Sequence, residues 1–279
     1  MIQKSYDDKP SLYLIPTPIG NLEDITIRSL NILRSVDLIL CEDTRETLKL
    51  LSNYEIKKKL VSCHKYNEDR MKAFVIDKLN EGLNLGLVTD QGTPIISDPG
   101  YIIVNEVVKN DFNVIGLPGA TAFVPALISS GVNPAPFLFY GFLNSKSAKQ
   151  KKELLSLKSL PYTIIFYESV HRIKQTLLNI LEIFGDRYIS ISREISKIHE
   201  EILRGNITEI IDDIDVLKGE FVLVVSGNDD INDYSEITLM EHVMLYVESG
   251  MSKNDAIKLV AKERNIPKSV VYKEVCKEK

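Results

Sequence analysis

The feature that most constrains this chain is a rhythm. Through its first 120 residues a short β-rich apolar run, a polar turn and an amphipathic helical stretch recur in the same order. Runs at 12–15, 37–40, 60–62, 85–88 and 114–116 read as buried strands, and helical spacing appears at 25–34, 45–51, 70–79 and 102–109. Strands alternating with helices require crossover connections, so the first part of the chain is expected to form an α/β domain on a mainly parallel sheet. A second α/β unit follows, with strands near 137–140, 163–167, 188–192 and 220–225 and helices near 151–157, 172–184 and 207–214. Its pattern leaves the strand directions open. Residues 227–236, carrying Asp229, Asp230 and Asp233, read as a linker, and only helical patterns follow. The expected domains are 1–119, 120–228 and a helical module at 237–279.

Composition narrows the class further. Apolar residues at 44% and charged residues at 26% are ordinary for a globular protein, which sets aside disordered, collagen-like and coiled-coil readings. With 34 basic and 39 acidic side chains the net charge is −5, so any binding to nucleic acid must rest on local patches. Lys57–Lys58–Lys59 and the group Lys146, Lys149, Lys151 and Lys152 are the candidates; each alone also reads as a solvated face. Cys41, Cys63 and Cys276 are far apart and form no CxxC pair, and no HExxH or Cys/His cluster is present, so no metal site is expected. The opening MIQKSYDDKP lacks an apolar signal core. Residues 112–145 carry no charge, but the prolines and glycines among them break any continuous membrane-spanning helix. A cytoplasmic protein with no membrane partner is expected.

The unusual residues all fall after strands. PTPIGNLED (16–24), EDTRE (42–46), HKYNEDR (64–70), TDQGTPIISDPG (89–100) and LPGATA (117–122) follow the successive runs. Ligands of open parallel sheets bind outside the carboxyl ends of the strands, so these loops describe a small-molecule site. Asp90 at a strand end, followed by Gly92, suits a ribose diol or a cationic ligand, and Gly119 before Ala120 and Thr121 lets helix-start amides face an anion. Ser97–Asp98–Pro99–Gly100 by itself reads more readily as a turn and helix N-cap than as a site element. No GxGxxG, GxxxxGK[ST] or GxSxG element is present, which sets aside the dinucleotide fingerprint, the P-loop and the hydrolase elbow.

Taken together, PTPIGNLEDIT, CEDTRET, the H-x-x-N-E of His64 to Glu68, TDQGTPIISDPG, LPGATA, FYESVHR and REISKIHEE resemble the signature loops of the small-subunit ribosomal RNA methyltransferases of the tetrapyrrole methylase superfamily, in unbroken order from Leu12 to Gly227. The chain departs from the common pattern at Gln91, Ala120 and Val170, of which Gln91 bears on the shape of the pocket. The resemblance implies two α/β domains of the tetrapyrrole methylase type, a homodimer, and S-adenosylmethionine as methyl donor in the cleft between domains. It also implies 2′-O-methylation of a cytidine in the decoding region of 16S rRNA in the small ribosomal subunit. Carried onto this sequence, it places Pro18, Asp90, Gly92, Thr93, Thr121, Ala122 and Tyr167 at the cofactor.

A base that accepts the hydroxyl proton assists such a transfer. The candidates are His64, Glu42 and Glu168, with Asp43, Glu68 and His171 as further options; Arg45, Arg70, His171 and Arg172 are candidates for holding RNA. At the C-terminal end, 252–278 reads as helix, turn, helix, and the spacing suits a nucleic-acid-binding module or a simple helical hairpin equally. Rival activities are methylation of a porphyrinoid, whose enzymes carry a more Gly-rich first loop, methylation of a protein in the diphthine manner, and an assembly factor whose cofactor fold is catalytically idle.

Overall fold

The computed structural model describes residues 3–5, 7–216, 219–228, 237–248, 250–264 and 266–276. The chain divides into two compact units, Met1–Gly227 and Asn228–Lys279. The expected linker falls largely at 229–236, outside the described residues.

In chain order the first unit begins β1 (Ser11–Leu14), α1 (Ile27–Ser35), β2 (Leu38–Cys41), α2 (Thr44–Asn53), β3 (Lys59–Ser62), α3 (Glu68–Asn80), β4 (Leu85–Leu87), α4 (Tyr101–Lys109) and β5 (Asn113–Gly116). Every pairing among these strands is parallel, in the order β3-β2-β4-β1-β5. Side chains alternate across the sheet, as a two-residue period demands. Leu12, Leu38, Leu40, Leu85 and Leu87 face one helical layer with Val75, Leu79, Ile103 and Val107, while Ile15, Ile39 and Cys41 face the other with Leu33 and Leu51. The expected parallel sheet is present.

The chain continues through α5 (Phe123–Ser129), β6 (Phe137–Phe142), α6 (Ser147–Leu157), β7 (Thr163–Ser169), α7 (Ile173–Phe184), β8 (Tyr188–Arg193), β9 (Glu201–Asn206), α8 (Ile207–Ile210) and β10 (Glu220–Val225). This second sheet is mixed, in the order β6-β7-β10-β8-β9; β6 runs parallel to β7 and the remaining pairs are antiparallel. One face packs Phe166, Leu223 and Ile191 on Leu154, Leu177 and Ile180 of the helices; the other packs Ile165, Val222 and Val224 on Ala126 and Leu127 of α5. Strand β9 has no counterpart in the sequence reading. Its sequence, EILRGN, is an edge strand with no fully buried residue, so the apolar run that marks a central strand is missing. The helical stretch expected at 207–214 ends as α-helix at Ile210 and goes on as a tighter 3₁₀ turn.

The second unit contains α9 (Leu239–Glu248), α10 (Lys253–Glu263) and α11 (Lys268–Val275), with a core of Val243, Ala256, Ile257, Val260, Ala261, Val271 and Val275. The apolar face expected at 256, 257, 260 and 261 is buried, and Ser252 accepts a hydrogen bond from the Asp255 N–H as the cap of α10. No helix among the described residues is long and apolar enough to cross a membrane.

Candidate active site

The strands bring the odd loops to one rim, and hydrogen bonds lock them together. Thr17 and Gly92 exchange backbone bonds at 2.9 and 3.1 Å, tying the loop after β1 to the loop after β4. Thr93 donates its hydroxyl to the Ala120 carbonyl at 2.9 Å, which adds the loop after β5. Gly92 has φ of +85°, and a Cβ there would sit 3.2 Å from Ile19, so the turn needs glycine on two counts. Gly119 is pressed against Pro16, where a Cβ would come within 2.5 Å of the ring. The second sheet closes the far side: the Ser196 hydroxyl bonds the Asp24 carboxylate, and Gly20 lies directly against the stem of Lys197.

Between these loops lies a cavity of about 490 Å³. Its first wall comprises Ile19, Glu42, Asp90, Gly92, Thr93, Ile96 and Asp98; facing it are Thr121, Ala122, Phe142, Tyr167, Glu168, Glu194, Lys197 and Glu220. Glu42, Asp90, Gly92, Thr93, Thr121, Ala122, Tyr167 and Glu168 of the sequence candidates therefore share one cavity. Pro18 is buried beside it, with its neighbour Ile19 forming the wall. His64, Arg45, Arg70, His171 and Arg172 do not line it.

The first wall is strongly acidic. Burial pushes the Glu42 carboxyl up, the charges of Asp90 and Asp98 push it further, and His64 works in the opposite direction. Asp90 is raised by burial and by Asp43 and Glu46, although its Oδ1 accepts the Asp43 N–H at 3.2 Å. Asp98 is raised by burial and by Asp90, against the lowering effect of the Thr89 hydroxyl. On the opposite wall burial works against the charge of Lys197, but its bonds to Glu194 and Glu220, each 3.1 Å, outweigh it and raise the pKa. Tyr167 is raised by burial, which outweighs the lowering effect of the Thr121 hydroxyl and of the Phe123 and Ala122 backbone at the start of α5.

Several candidates turn out to be occupied. The buried Glu168 carboxylate accepts from Ser169 N–H at 2.8 Å and the Thr176 hydroxyl at 2.7 Å, and pairs with Arg172 Nε at 3.2 Å. Arg172 also donates to the Leu143 carbonyl at 2.6 Å, clasping β6 to β7. Glu68 is buried and caps α4, accepting from Gly100 and Ile102 N–H at 3.0 and 2.8 Å. Arg45 pairs with Asp43 at 2.7 Å, which holds that carboxyl down at about 2. His64 Nδ1 accepts the Tyr66 N–H at 3.3 Å, which makes Nε2 the ring nitrogen that carries a proton. Arg70 is exposed on α3, and His171 is exposed at the turn into α7. Among the lysines, Lys58 Nζ donates to the Val36 carbonyl at 2.6 Å and Lys151 pairs with Glu182, whereas Lys57, Lys59, Lys146, Lys149 and Lys152 are exposed.

Sequence reasoning assigned no site role to Ile19, Ile96, Asp98, Phe142, Glu194 or Lys197. The REISK segment carried the resemblance, yet its geometry depends on Glu194 and Ser196 at φ of +49° and +72°, which no spacing rule announces.

The family model for tetrapyrrole (corrin/porphyrin) methylases matches residues 11–211, which hold the first sheet and four of the five strands of the second. The chain belongs to the tetrapyrrole methylase family. Within it the chain is 47% identical to a Bacillus subtilis (strain 168) protein named ribosomal RNA small subunit methyltransferase I, over 97% of this chain and 96% of that one. It is 44% identical to the protein of the same name in Halalkalibacterium halodurans, over 97% of each. The solved methyltransferase CobJ is 14% identical and superimposes with a TM-score of 0.59 over 79% of this chain and 95% of that one, which shows the shared fold. The resemblance seen in the loops is thus borne out, and so is the fold class it implied. The methyl donor of the family is S-adenosylmethionine. The cavity suits such a ligand: its volume lies in the range of about 300–1,000 Å³ typical of ligand sites, its carboxylates favour a cation, and Ile19, Ile96 and Phe142 offer apolar surface. Among the described residues no group of His, Cys, Asp and Glu is placed to hold a metal ion.

Proposed function

We propose that this chain methylates the 2′-hydroxyl of a cytidine in the decoding region of 16S rRNA. The observation that carries the reading is 47% identity along nearly the whole chain to a protein named ribosomal RNA small subunit methyltransferase I. Asp90, Gly92, Thr93, Thr121, Ala122 and Tyr167 would hold S-adenosylmethionine, with buried Pro18 next to Ile19 in the chain. When bound, that cofactor supplies a methyl carbon on a positively charged sulfur.

The chain's own residues then have three tasks. Glu42, Asp90 and Asp98 set a negative potential that selects a cationic ligand and disfavours a neutral one. The Thr93–Ala120 and Ser196–Asp24 bonds hold the two walls together, so that reacting groups are aligned without a search. Glu42 accepts the proton of the ribose hydroxyl. Its raised pKa brings it closer to the solution pH, and no hydrogen bond or ion pair engages its carboxylate among the described residues. Glu168 is committed to Arg172 and Thr176, and His64 Nδ1 accepts the Tyr66 N–H, so they serve as a clasp and a substrate contact. Arg70, His171 and the exposed lysines are the groups available to RNA phosphates, Arg45 being paired with Asp43. The protein is proposed to work as a cytoplasmic homodimer, which sedimentation of the purified chain would test.

Incubation of labelled S-adenosylmethionine with unmodified small subunits tests the reading. Label in 16S rRNA at an alkali-resistant cytidine is expected; label in a porphyrinoid or a protein, or none at all, would overturn it.

A further inference from the structure

The loop after β3 carries an aromatic ring that nothing in the fold requires. Tyr66 is 93% exposed, yet its loop is tightly built. Asn67 braces it from both sides, accepting the His64 N–H at 2.8 Å and donating to the Ser62 carbonyl at 3.0 Å. The N–H groups of Asn67 and Glu68 both reach the His64 carbonyl, and buried Glu68 anchors the next turn to α4. The Tyr66 ring meets the His64 ring edge to face at 6.1 Å while its surface stays in water.

The two acids of this loop are engaged while its cations face water. Lys65 and Arg70 are exposed and take part in no ion pair among the described residues, and the one exposed acid between them, Asp69, is paired with Lys72 at 2.8 Å. The loop also adjoins the cavity. Cys63 N–H donates to the Cys41 carbonyl at 2.8 Å, and the His64 charge acts on Glu42 in the cavity wall.

An exposed ring on a braced loop, flanked by cations, fits one ligand chemistry: an unpaired nucleobase stacked on the ring with its phosphates on the cations. We infer that Tyr66 is a stacking platform for a nucleobase of the RNA substrate, with His64 Nε2–H, Lys65 and Arg70 contacting the adjoining ribose and phosphates. The inference rests on the rRNA methyltransferase reading and adds to it a residue that positions the substrate at the cavity mouth.

Methyl transfer to unmodified small subunits by the full-length chain tests it, comparing wild type, Tyr66→Phe and Tyr66→Ala. Loss of one stacked base should raise the KM for subunits by about 5- to 100-fold in Tyr66→Ala. Tyr66→Phe, which keeps the ring, should stay within about twofold, because stacking uses the ring face and not the hydroxyl. Binding of S-adenosylmethionine, followed by calorimetry, should be the same in all three. A second readout uses the absence of tryptophan from the chain. Tyr66→Trp introduces a sole indole, whose emission should be quenched by a single-stranded oligocytidine. Equal KM values with unquenched emission would overturn the stacking site while leaving the rRNA reading intact. A wild-type chain that transfers no methyl group to RNA would overturn both.

Discussion

Glu42 sits where burial and two neighbouring acids make its charged form costly. Glu42→Gln keeps the shape and removes the proton acceptor, so single-turnover transfer is expected to slow by about 10²- to 10⁴-fold. Affinity for the methyl donor should change far less, and unchanged transfer would remove Glu42 from the mechanism. The same cluster sets a pH dependence of definite sign. Because Glu42, Asp90 and Asp98 are all raised, the folded state binds protons more readily than the unfolded chain. Lowering the pH from neutrality toward the ordinary values of 4.5 and 3.8 should therefore relieve repulsion within the empty cavity and weaken binding of the cationic donor. Calorimetric titration across that range checks the second effect; affinity rising toward acid pH would contradict it. At this scale the sequence exposed the chemical inventory but not its allocation. Glu42, Glu68 and Glu168 all stood as candidate bases, and only their partners separate an available carboxylate from a helix cap and a clasp.

Among the elements, α4 depends on a residue from a different helix. Its N-terminal N–H groups have no partners within the helix, and the buried carboxylate of Glu68 supplies them. Glu68→Ala should cost about 2–4 kcal/mol by leaving these donors unsatisfied, measurable by urea unfolding. Glu68→Gln, which retains an acceptor, should cost less. In the second unit His242 is fully buried between α9 and α10, with Nε2 at 3.1 Å from Glu263 and Nδ1 accepting from Arg264 at 3.2 Å. Burial holds its pKa below the ordinary 6.5 despite Glu263. The unfolded chain then binds the proton more readily, so the second unit keeps its full stability above 6.5 and loses it as the pH falls through the depressed folded value. Thermal unfolding of the full chain followed by amide exchange in 239–275 checks this; insensitivity to acid would contradict it. The sequence marked helices with an apolar face and strands buried on both sides. It passed over β9, because an edge strand half open to water carries no such run.

For the molecule as a whole, every residue lining the cavity lies between Ile19 and Val222, within the first unit. A chain ending at residue 228 is expected to bind S-adenosylmethionine with unchanged affinity by calorimetry, while methylation of small subunits reports what the helical unit adds. Binding to RNA by a protein of net charge −5 must work through local cations. For about four phosphate contacts to a single strand, affinity should fall about 50-fold between 50 and 200 mM salt. A flat response in filter binding would leave the exposed lysines and Arg70 without that role.

By itself the sequence determined the parallel α/β layer, the rim on which ligand loops gather and the family, because periodicity, turn residues and motif order are local properties that survive in one dimension. Tertiary structure alone decided the directions of the second sheet, the pairing of Thr17 with Gly92, and the roles of the acids. Each of these depends on which groups share a desolvated space, and a carboxylate's chemistry is set by its neighbours in that space rather than along the chain.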